Sequence, residues 1–176
     1  MSPDKILVYT DGSCNTKLQI GAWAAIVIIA FQKVILKDVM LETTHNRMEL
    51  LAVIKAIDYL ESNNLAKGVI QIYSDSQYVI NLLQRKEKLK QKGFLTNKGS
   101  TIPNLDLIKK LINQMETHTL DFIKVKAHQK QGETINYNRE VDKLARKIVR
   151  ERVNNSKKIT EVTKPFKCLT SLKRNE

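Results

Sequence analysis

The sequence has very few of the residues that build disulfide-linked or cysteine-rich metal domains. Its 176 residues include only two cysteines, Cys14 in an apolar N-terminal stretch and Cys168 in a basic C-terminal segment. Two isolated cysteines fit neither a disulfide framework nor a cysteine-based zinc site. We therefore expect the protein to work in a reducing compartment, and the cytoplasm is the predicted location.

Long hydrophobic runs and acidic residues are also scarce. The longest apolar run, residues 20–31, is shorter than the roughly 20 residues that a membrane-spanning helix needs, and it lacks the flanks of a signal peptide. We therefore expect this run to be a core segment and not a membrane span. The 18 acidic residues are outnumbered by 30 lysines and arginines, which gives a net charge of +12. This surplus favours a polyanionic partner, with nucleic acid first and an anionic membrane surface second.

Hydrophobic periodicity predicts one α/β domain over residues 1–153, followed by a flexible basic tail over residues 154–176. Two-residue alternation and β-branched runs predict strands, and 3.6-residue spacing predicts helices. The predicted strands cover residues 6–11, 21–31, 34–42, 69–75 and 120–128, and the predicted helices cover 44–64, 76–83, 103–115 and 138–152. The short second connection requires an antiparallel hairpin, while the helix before the fourth strand allows a parallel pair. The prediction is a mixed five-stranded sheet flanked by helices.

Four acidic residues occupy places that such a fold could bring together. Asp11 is predicted to end the first strand before an Asp-Gly turn, and Asp75 to join the fourth strand to its helix. Glu49 and Asp142 are predicted in the first turns of the first and last helices. Taken singly, each fits a turn, a helix cap or a surface acid. Together they could meet at one rim of the sheet, because the carboxyl ends of parallel strands share an edge.

Four clustered carboxylates repel one another and would need cations to neutralise them. Hard oxygen ligands suit Mg²⁺ or Mn²⁺ better than zinc. Two such ions, roughly 4 Å apart, could activate a water and stabilise the leaving oxygen in phosphodiester cleavage.

A strongly basic segment, residues 84–98, follows the second predicted helix. It holds six lysines and arginines against Glu87 alone, for a net charge of +5. A solvated charged helix is the ordinary explanation of such a run. Here Leu89, Phe94 and Leu95 are interleaved with the cations, which favours an arm that lies along a nucleic-acid backbone.

Five motifs in this chain, in this order, resemble type 1 ribonuclease H. They are YTDGSC (9–14), TTHNRMEL (43–50), YSDSQYV (73–79), VKAH (125–128) and NREVDKLAR (138–146), and the resemblance covers about Lys5 to Arg152. It implies an RNase H-like fold. It also implies an endonuclease that hydrolyses the RNA strand of an RNA/DNA hybrid and leaves 5′-phosphate and 3′-hydroxyl ends.

The resemblance further implies that Asp11, Glu49, Asp75 and Asp142 hold two Mg²⁺ ions, with Mn²⁺ as a substitute. It implies that His128 assists proton transfer or product release. The hybrid is the expected partner, with no membrane partner, and a monomer without an obligatory protein partner is expected. The implied substrate contacts lie in the hybrid's minor groove, at a DNA-strand phosphate and along the basic protrusion: Cys14, Thr44, His45, Asn46, Gln77, Lys86, Lys88, Lys90, Asn104 and Asn138.

The chain departs from the family pattern in four places, one of which is a loop from His128 to Asp142 that is longer than in some members. Residues 15–20 replace a glycine-rich loop, and His45 stands where asparagine is common. Lys86 and Lys90 stand where aromatic residues commonly contact the DNA strand, so binding there should be more sensitive to salt.

Two other functions fit parts of the sequence. A transposase- or integrase-like phosphotransferase uses similar carboxylates, but it would have a late glutamate and extra DNA-binding modules. A non-catalytic hybrid- or duplex-binding protein would be favoured if a metal ligand were missing, and none of the four acids is missing.

Overall fold

The computed structural model describes residues 5–125 and 136–162, with side chains described up to residue 156. Within these ranges the chain forms five strands and four helices. The strands are β1 (Ile6–Asn15), β2 (Ile20–Ile29), β3 (Gln32–Met40), β4 (Val69–Ser74) and β5 (Thr119–Lys124). The helices are α1 (His45–Ser62), α2 (Gln77–Gln91), α3 (Leu105–Thr117) and α4 (Tyr137–Val162).

The five strands form one mixed sheet in the order β3-β2-β1-β4-β5. β1 pairs antiparallel with β2 and β2 with β3, whereas β1–β4 and β4–β5 are parallel pairs. The predicted α/β class and the mixed five-stranded sheet are confirmed. β1 therefore lies at the centre of the sheet, with the carboxyl end of β4 beside it.

Helices cover both faces of this sheet, so β1 alternates between two apolar environments. Ile6 and Val8 point into a large core that α1 and α3 complete. On the opposite face, Val141 and Ala145 of α4 pack against Ala24 and Ile26 of β2. Burying a large aliphatic side chain in this way stabilises the fold by about 1.5–3 kcal/mol.

The predicted hairpin between the second and third strands is present, but its turn lies two residues earlier than the sequence suggested. Ile29 pairs with Gln32, which leaves Ala30 and Phe31 as a two-residue loop. Both have positive φ, 45° and 67°, as a type I′ turn requires at its two central residues. The hairpin lies at the end of the sheet where β1 begins.

Three boundaries differ from the prediction. β1 does not end at an Asp-Gly turn, because β2 pairs with it from Leu7 through to Asn15. α2 continues to Gln91 and takes in much of the basic segment, since lysine, arginine and glutamine are good helix formers. α4 continues to Val162 rather than ending at Arg152.

The first part of the predicted tail is thus helical. Residues 163–176 lie outside the described residues, and so does the predicted strand end at 126–128. No helix in the described ranges is long and apolar enough to cross a membrane.

Candidate active site

Asp11 lies in the middle of β1 at the rim of the parallel pair. The β1–β4 pairing runs up to Tyr9 opposite Tyr73. Asp11 and Asp75 each lie two residues beyond that pair, so the parallel register brings the two acids to the same level. β2 continues beside β1 here, with Ala24 opposite Asp11, and this pairing keeps the Asp11 backbone extended.

Glu49 is brought to this rim by the close packing of α1 on β1. A Cβ atom added to Gly12 would lie 2.4 Å from the backbone nitrogen of Glu49 and 2.6 Å from the carbonyl carbon of Met48. Only glycine allows the helix backbone to approach β1 so closely. Glu49 lies in the second turn of α1 rather than the predicted first turn, directly above the residue that follows Asp11.

Both carboxylate oxygens of Glu49 are held by neighbouring side chains. Ser76 Oγ donates to Glu49 Oε2 at 2.6 Å, and His45 Nε2 lies 3.2 Å from Glu49 Oε1. Ser76 also caps α2, because its Oγ accepts a hydrogen bond from the Val79 amide at 3.2 Å. Ser76 thus links the start of α2 to the carboxylate carried by α1.

Asp142 reaches the rim from the opposite face of the sheet. It lies in the second turn of α4, where the neighbouring Val141 and Ala145 anchor the helix on β2. Arg146 Nε donates to Asp142 Oδ1 at 2.7 Å. The two residues lie one helical turn apart, and their ion pair orients the Asp142 carboxylate.

The four acids line one open cleft of about 200 Å³ at the rim of the sheet. Its walls come from β1, α1, the β4–α2 junction and α4. The lining residues are Asp11, Gly12, Ser13, His45, Glu49, Asp75, Ser76, Gln77, Asp142 and Arg146.

The negative charges of the cleft's acids repel one another. Burial, followed by the negative charges of Asp75 and Asp142, raises the pKa of Asp11 from 3.8 to about 7. The hydrogen bond to Glu49 raises the pKa of His45, with smaller contributions from the Asp11 and Asp75 charges, against a lowering by burial. A nearby cation would therefore favour the ionised form of Asp11 and relieve the repulsion.

The donor set fits a hard divalent cation, because every acid at the rim offers carboxylate oxygens. In the described part of the chain, no three histidine, cysteine, aspartate or glutamate side chains are close enough together to hold a metal ion as they stand. Two of the acids, Glu49 and Asp142, are instead hydrogen-bonded to protein groups. The cleft thus has the oxygen chemistry for Mg²⁺ but not a closed metal centre.

Four of the predicted substrate-contact residues surround the cleft's α1 side. His45 is part of the lining, and the exposed Asn46 follows it on α1. Thr44 caps α1, with its side chain accepting from the Arg47 amide at 3.4 Å. Cys14 lies further along β1, where its Sγ is 3.5 Å from the Thr43 carbonyl oxygen.

Gln77 lines the opposite wall, at the first turn of α2. Its side chain donates to Asn81 Oδ1 and accepts from Lys124 Nζ. This residue brings a side-chain amide to the edge of the acidic cleft.

The remaining predicted contacts do not line the cleft. Lys86, Lys88 and Lys90 lie further along α2, where Lys86 is 3.9 Å from Glu87 and Lys90 pairs with Glu116. Asn104 precedes α3 in a left-handed conformation, φ 58°, and donates to the Tyr78 hydroxyl at 3.4 Å.

Asn138 lies in the first turn of α4, outside the cleft lining. Its Oδ1 is buried, with no hydrogen-bond partner among the described residues. His128 falls outside the described residues.

The sequence reasoning missed three residues that build the site. Gly12 was interpreted only as part of a turn, although a glycine after a strand acid also permits close helix packing. Arg146 lies four residues after Asp142, a spacing that signals a helical ion pair. Ser76 immediately precedes the second helix, as an N-cap does, but its bond to Glu49 joins residues 27 positions apart and has no local signal.

Comparison with known proteins agrees with this architecture. The family model for RNase H matches residues 3–150. A ribonuclease H of Clostridium botulinum is 35% identical over 152 residues, covering 84% of this chain and 97% of that protein. That of Wolbachia pipientis is 36% identical over 151 residues, covering 85% and 98%, and that of Acetivibrio thermocellus is 34% identical over 156 residues, covering 88% and 99%. On this evidence, together with the mixed sheet and its acidic rim, the chain belongs to the ribonuclease H family of enzymes.

Proposed function

We propose that this protein is an endoribonuclease that hydrolyses the RNA strand of RNA/DNA hybrids by two-metal-ion catalysis, leaving 5′-phosphate and 3′-hydroxyl ends. The observation that carries the proposal is the convergence of Asp11, Glu49, Asp75 and Asp142 on one cleft. These acids come from separate elements of a ribonuclease H family chain. Carboxylates rarely cluster in this way unless a cation offsets their repulsion.

The four carboxylates would hold two Mg²⁺ ions, and Mn²⁺ would substitute as another oxygen-preferring cation. Bound there, the ions supply an activated water and stabilise the leaving oxygen. Burial and the charges of Asp75 and Asp142 raise the pKa of Asp11 to about 7. Replacing Asp11 should therefore disturb the site.

The other side chains of the cleft position these acids. Ser76 and His45 hold the two oxygens of Glu49, so this carboxylate keeps one orientation. Arg146 does the same for Asp142. His128 would assist proton transfer or product release in this mechanism, and a His128→Ala variant should turn over more slowly while its affinity for the hybrid is unchanged.

The substrate would lie across the rim. Asn46, His45 and Gln77 would meet the minor groove, where the 2′-hydroxyl distinguishes RNA from DNA. Cys14 would border this contact, and Thr44 with Asn104 would bind a DNA-strand phosphate.

Further along α2, Lys86, Lys88 and Lys90 would make a salt-sensitive contact with the backbone. Asn138 would contact the substrate at the start of α4.

In this proposal the catalytic domain spans residues 1–153, and residues 154–176 add a basic tail. The protein acts as a cytoplasmic monomer. The strongly positive net charge of +12 supports the monomeric state, because it disfavours self-association. Sedimentation at working concentrations should therefore give a single species of about 20 kDa, the mass of one chain.

The deciding experiment is cleavage of a labelled RNA/DNA hybrid with Mg²⁺, with EDTA, single-stranded RNA and duplex DNA as controls. Wild type is compared with Asp11→Asn and with Asp121→Asn, which neutralises an exposed acid on β5 that pairs with Gln71. We expect metal-dependent cleavage of the RNA strand only, lost in Asp11→Asn and kept in Asp121→Asn. Hybrid binding without cleavage under Mg²⁺ or Mn²⁺ would favour a binding protein. Strand transfer or cleavage of duplex DNA would favour a phosphotransferase.

A further inference from the structure

The outer face of α4 carries a row of cations that the proposed catalytic site does not use. Lys143, Lys147 and Arg150 lie at positions i, i+4 and i+7, so they share one side of the helix. All three are exposed, and they point away from Val141, Ala145 and the sheet. We call these three residues the α4 ridge.

The segment of α4 that carries the ridge has a large excess of positive charge. Residues 143–158 contain seven lysines and arginines and one acid, Glu151, which gives seven minus one, or +6. Lys147 lies 3.8 Å from Glu151. Among the described residues, no carboxylate lies within 4 Å of Lys143 or Arg150. Like charges at these spacings weaken an isolated helix slightly, and an anionic partner would offset that repulsion.

The ridge begins at the cleft and continues beyond the rim of the sheet. Arg146, one of the residues that line the cleft, is followed one turn later by Arg150. Val149 and Val153 pack on Ile20 and Ala22 of β2. These β2 residues pair with β1 residues that lie two to four positions past Asp11. α4 therefore extends past Asp11 toward the end of the sheet from which a substrate must approach.

The size of the cleft requires contacts outside it. A volume of about 200 Å³ admits a reacting phosphate, but not a duplex whose grooves alone are about 6 to 12 Å wide. A bound duplex must lie over the flanks of the cleft. One flank is α2 with Lys86, Lys88 and Lys90, and the other flank is α4. From residue 143 to residue 158 the helix extends about 22 Å, which spans many backbone phosphates.

We propose that the α4 ridge binds the sugar-phosphate backbone of the nucleic-acid duplex whose scissile strand occupies the cleft. The inference rests on the proposed function, because it takes the cleft to be the substrate site. The Arg150 Nε group donates to the Arg146 carbonyl at 3.3 Å, which fixes the guanidinium and leaves its remaining N–H groups for a phosphate. Binding by the ridge is independent of base sequence, because phosphates carry no sequence information.

The test compares a ridge triple variant, Lys143→Gln/Lys147→Gln/Arg150→Gln, with a control triple variant, Lys5→Gln/Lys55→Gln/Lys67→Gln. Both remove three exposed lysine or arginine charges, but the control positions lie at the start of β1, on α1 and in the loop after α1. Binding to long and short hybrids is measured by fluorescence anisotropy in EDTA between 50 and 200 mM salt. Circular dichroism and melting curves establish that each variant is folded.

If all three ridge residues contact phosphates, the slope of log affinity against log salt should fall by about 2.7 in the ridge variant. Between 50 and 200 mM salt, wild-type binding to the long hybrid should therefore weaken about 40-fold more than binding by the ridge variant. The control variant should keep the wild-type slope. A short hybrid that covers the cleft but does not reach the α4 ridge should be bound and cleaved equally by all three proteins.

Equal salt slopes for the ridge and control variants would overturn the proposal. Loss of binding to anionic vesicles in the ridge variant, with unchanged binding to hybrids, would also overturn it and assign the face to a membrane surface. The binding readout separates this inference from the catalytic one. If wild type does not cleave hybrids but binds them through the ridge, the proposed function fails and the ridge assignment stands.

Discussion

Replacing Asp11 with asparagine should stabilise the metal-free protein while abolishing its activity. The pKa of Asp11 in the folded protein is about 7, against 3.8 for an ordinary aspartate. Between these two values the folded state keeps a proton that the unfolded chain has lost, so stability falls as the pH rises from about 4 to about 7. The difference corresponds to about 4 kcal/mol at pH 8. Asparagine has no proton to lose and never becomes charged, so the variant is not destabilised in this way.

The assay is urea denaturation in EDTA, followed by circular dichroism, for wild type and Asp11→Asn at pH values from 4 to 8. The two proteins should have similar free energies of unfolding at pH 4. The variant should gain steadily through pH 5 and 6 and be up to about 4 kcal/mol more stable at pH 8. The control variant Asp121→Asn should show no such gain. A stability difference that does not change with pH would refute the argument, as would a less stable Asp11→Asn protein.

Three further predictions follow from the packing around the rim and from the hairpin. Gly12→Ala should place a methyl group against the backbone of α1, lower stability by about 1–3 kcal/mol and reduce cleavage at least tenfold; unchanged melting and activity would contradict the packing argument. Ser76→Ala should lower stability by about 1 kcal/mol through loss of the α2 cap and slow cleavage by releasing Glu49, whereas Ser76→Thr should restore both; equal effects of alanine and threonine would show that the hydroxyl is irrelevant. Replacing Ala30 and Phe31 together with Asn-Gly should raise stability by about 1 kcal/mol, because both positions have positive φ and this pair favours a type I′ turn. Cleavage should not change, since the turn lies at the opposite end of the sheet, and an altered rate would contradict this separation.

The sequence predicted the parts of the fold that depend on local pattern. Helical spacing located α1 and α3 to within two residues at each end, and β-branched runs located the hairpin strands. The convergence of Asp11 and Asp75 at one rim was also predictable, because the carboxyl ends of parallel strands share an edge.

The errors occurred where a distant partner decides the local conformation. Asp11-Gly12 would form a turn in isolation, but β2 continues alongside and keeps both residues extended. α4 was predicted to end at Arg152 because the apolar periodicity stops near Val153. The helix nevertheless continues to Val162, because extending a helix that has already formed costs far less than starting one.

The candidate site shows the same division. The four acids could be identified from motifs, whereas the groups that orient them could not. The contact between Ser76 and Glu49, and the approach of α1 to Gly12, exist only after β1, α1 and α2 have packed together. The ion pair between Arg146 and Asp142 was the exception, because its spacing could have been recognised.

The four acids of the cleft are also spread along the chain in a way that matters during its synthesis. The first, Asp11, leaves the ribosome early, but the last, Asp142, follows 131 residues later and reaches the rim only when α4 packs on β2. A chain interrupted before that point could form most of the sheet and would carry three of the carboxylates without the fourth. An incomplete product of translation should therefore be inert toward the nucleic acids around it, because the cleft gains its full set of acids only with the last helix.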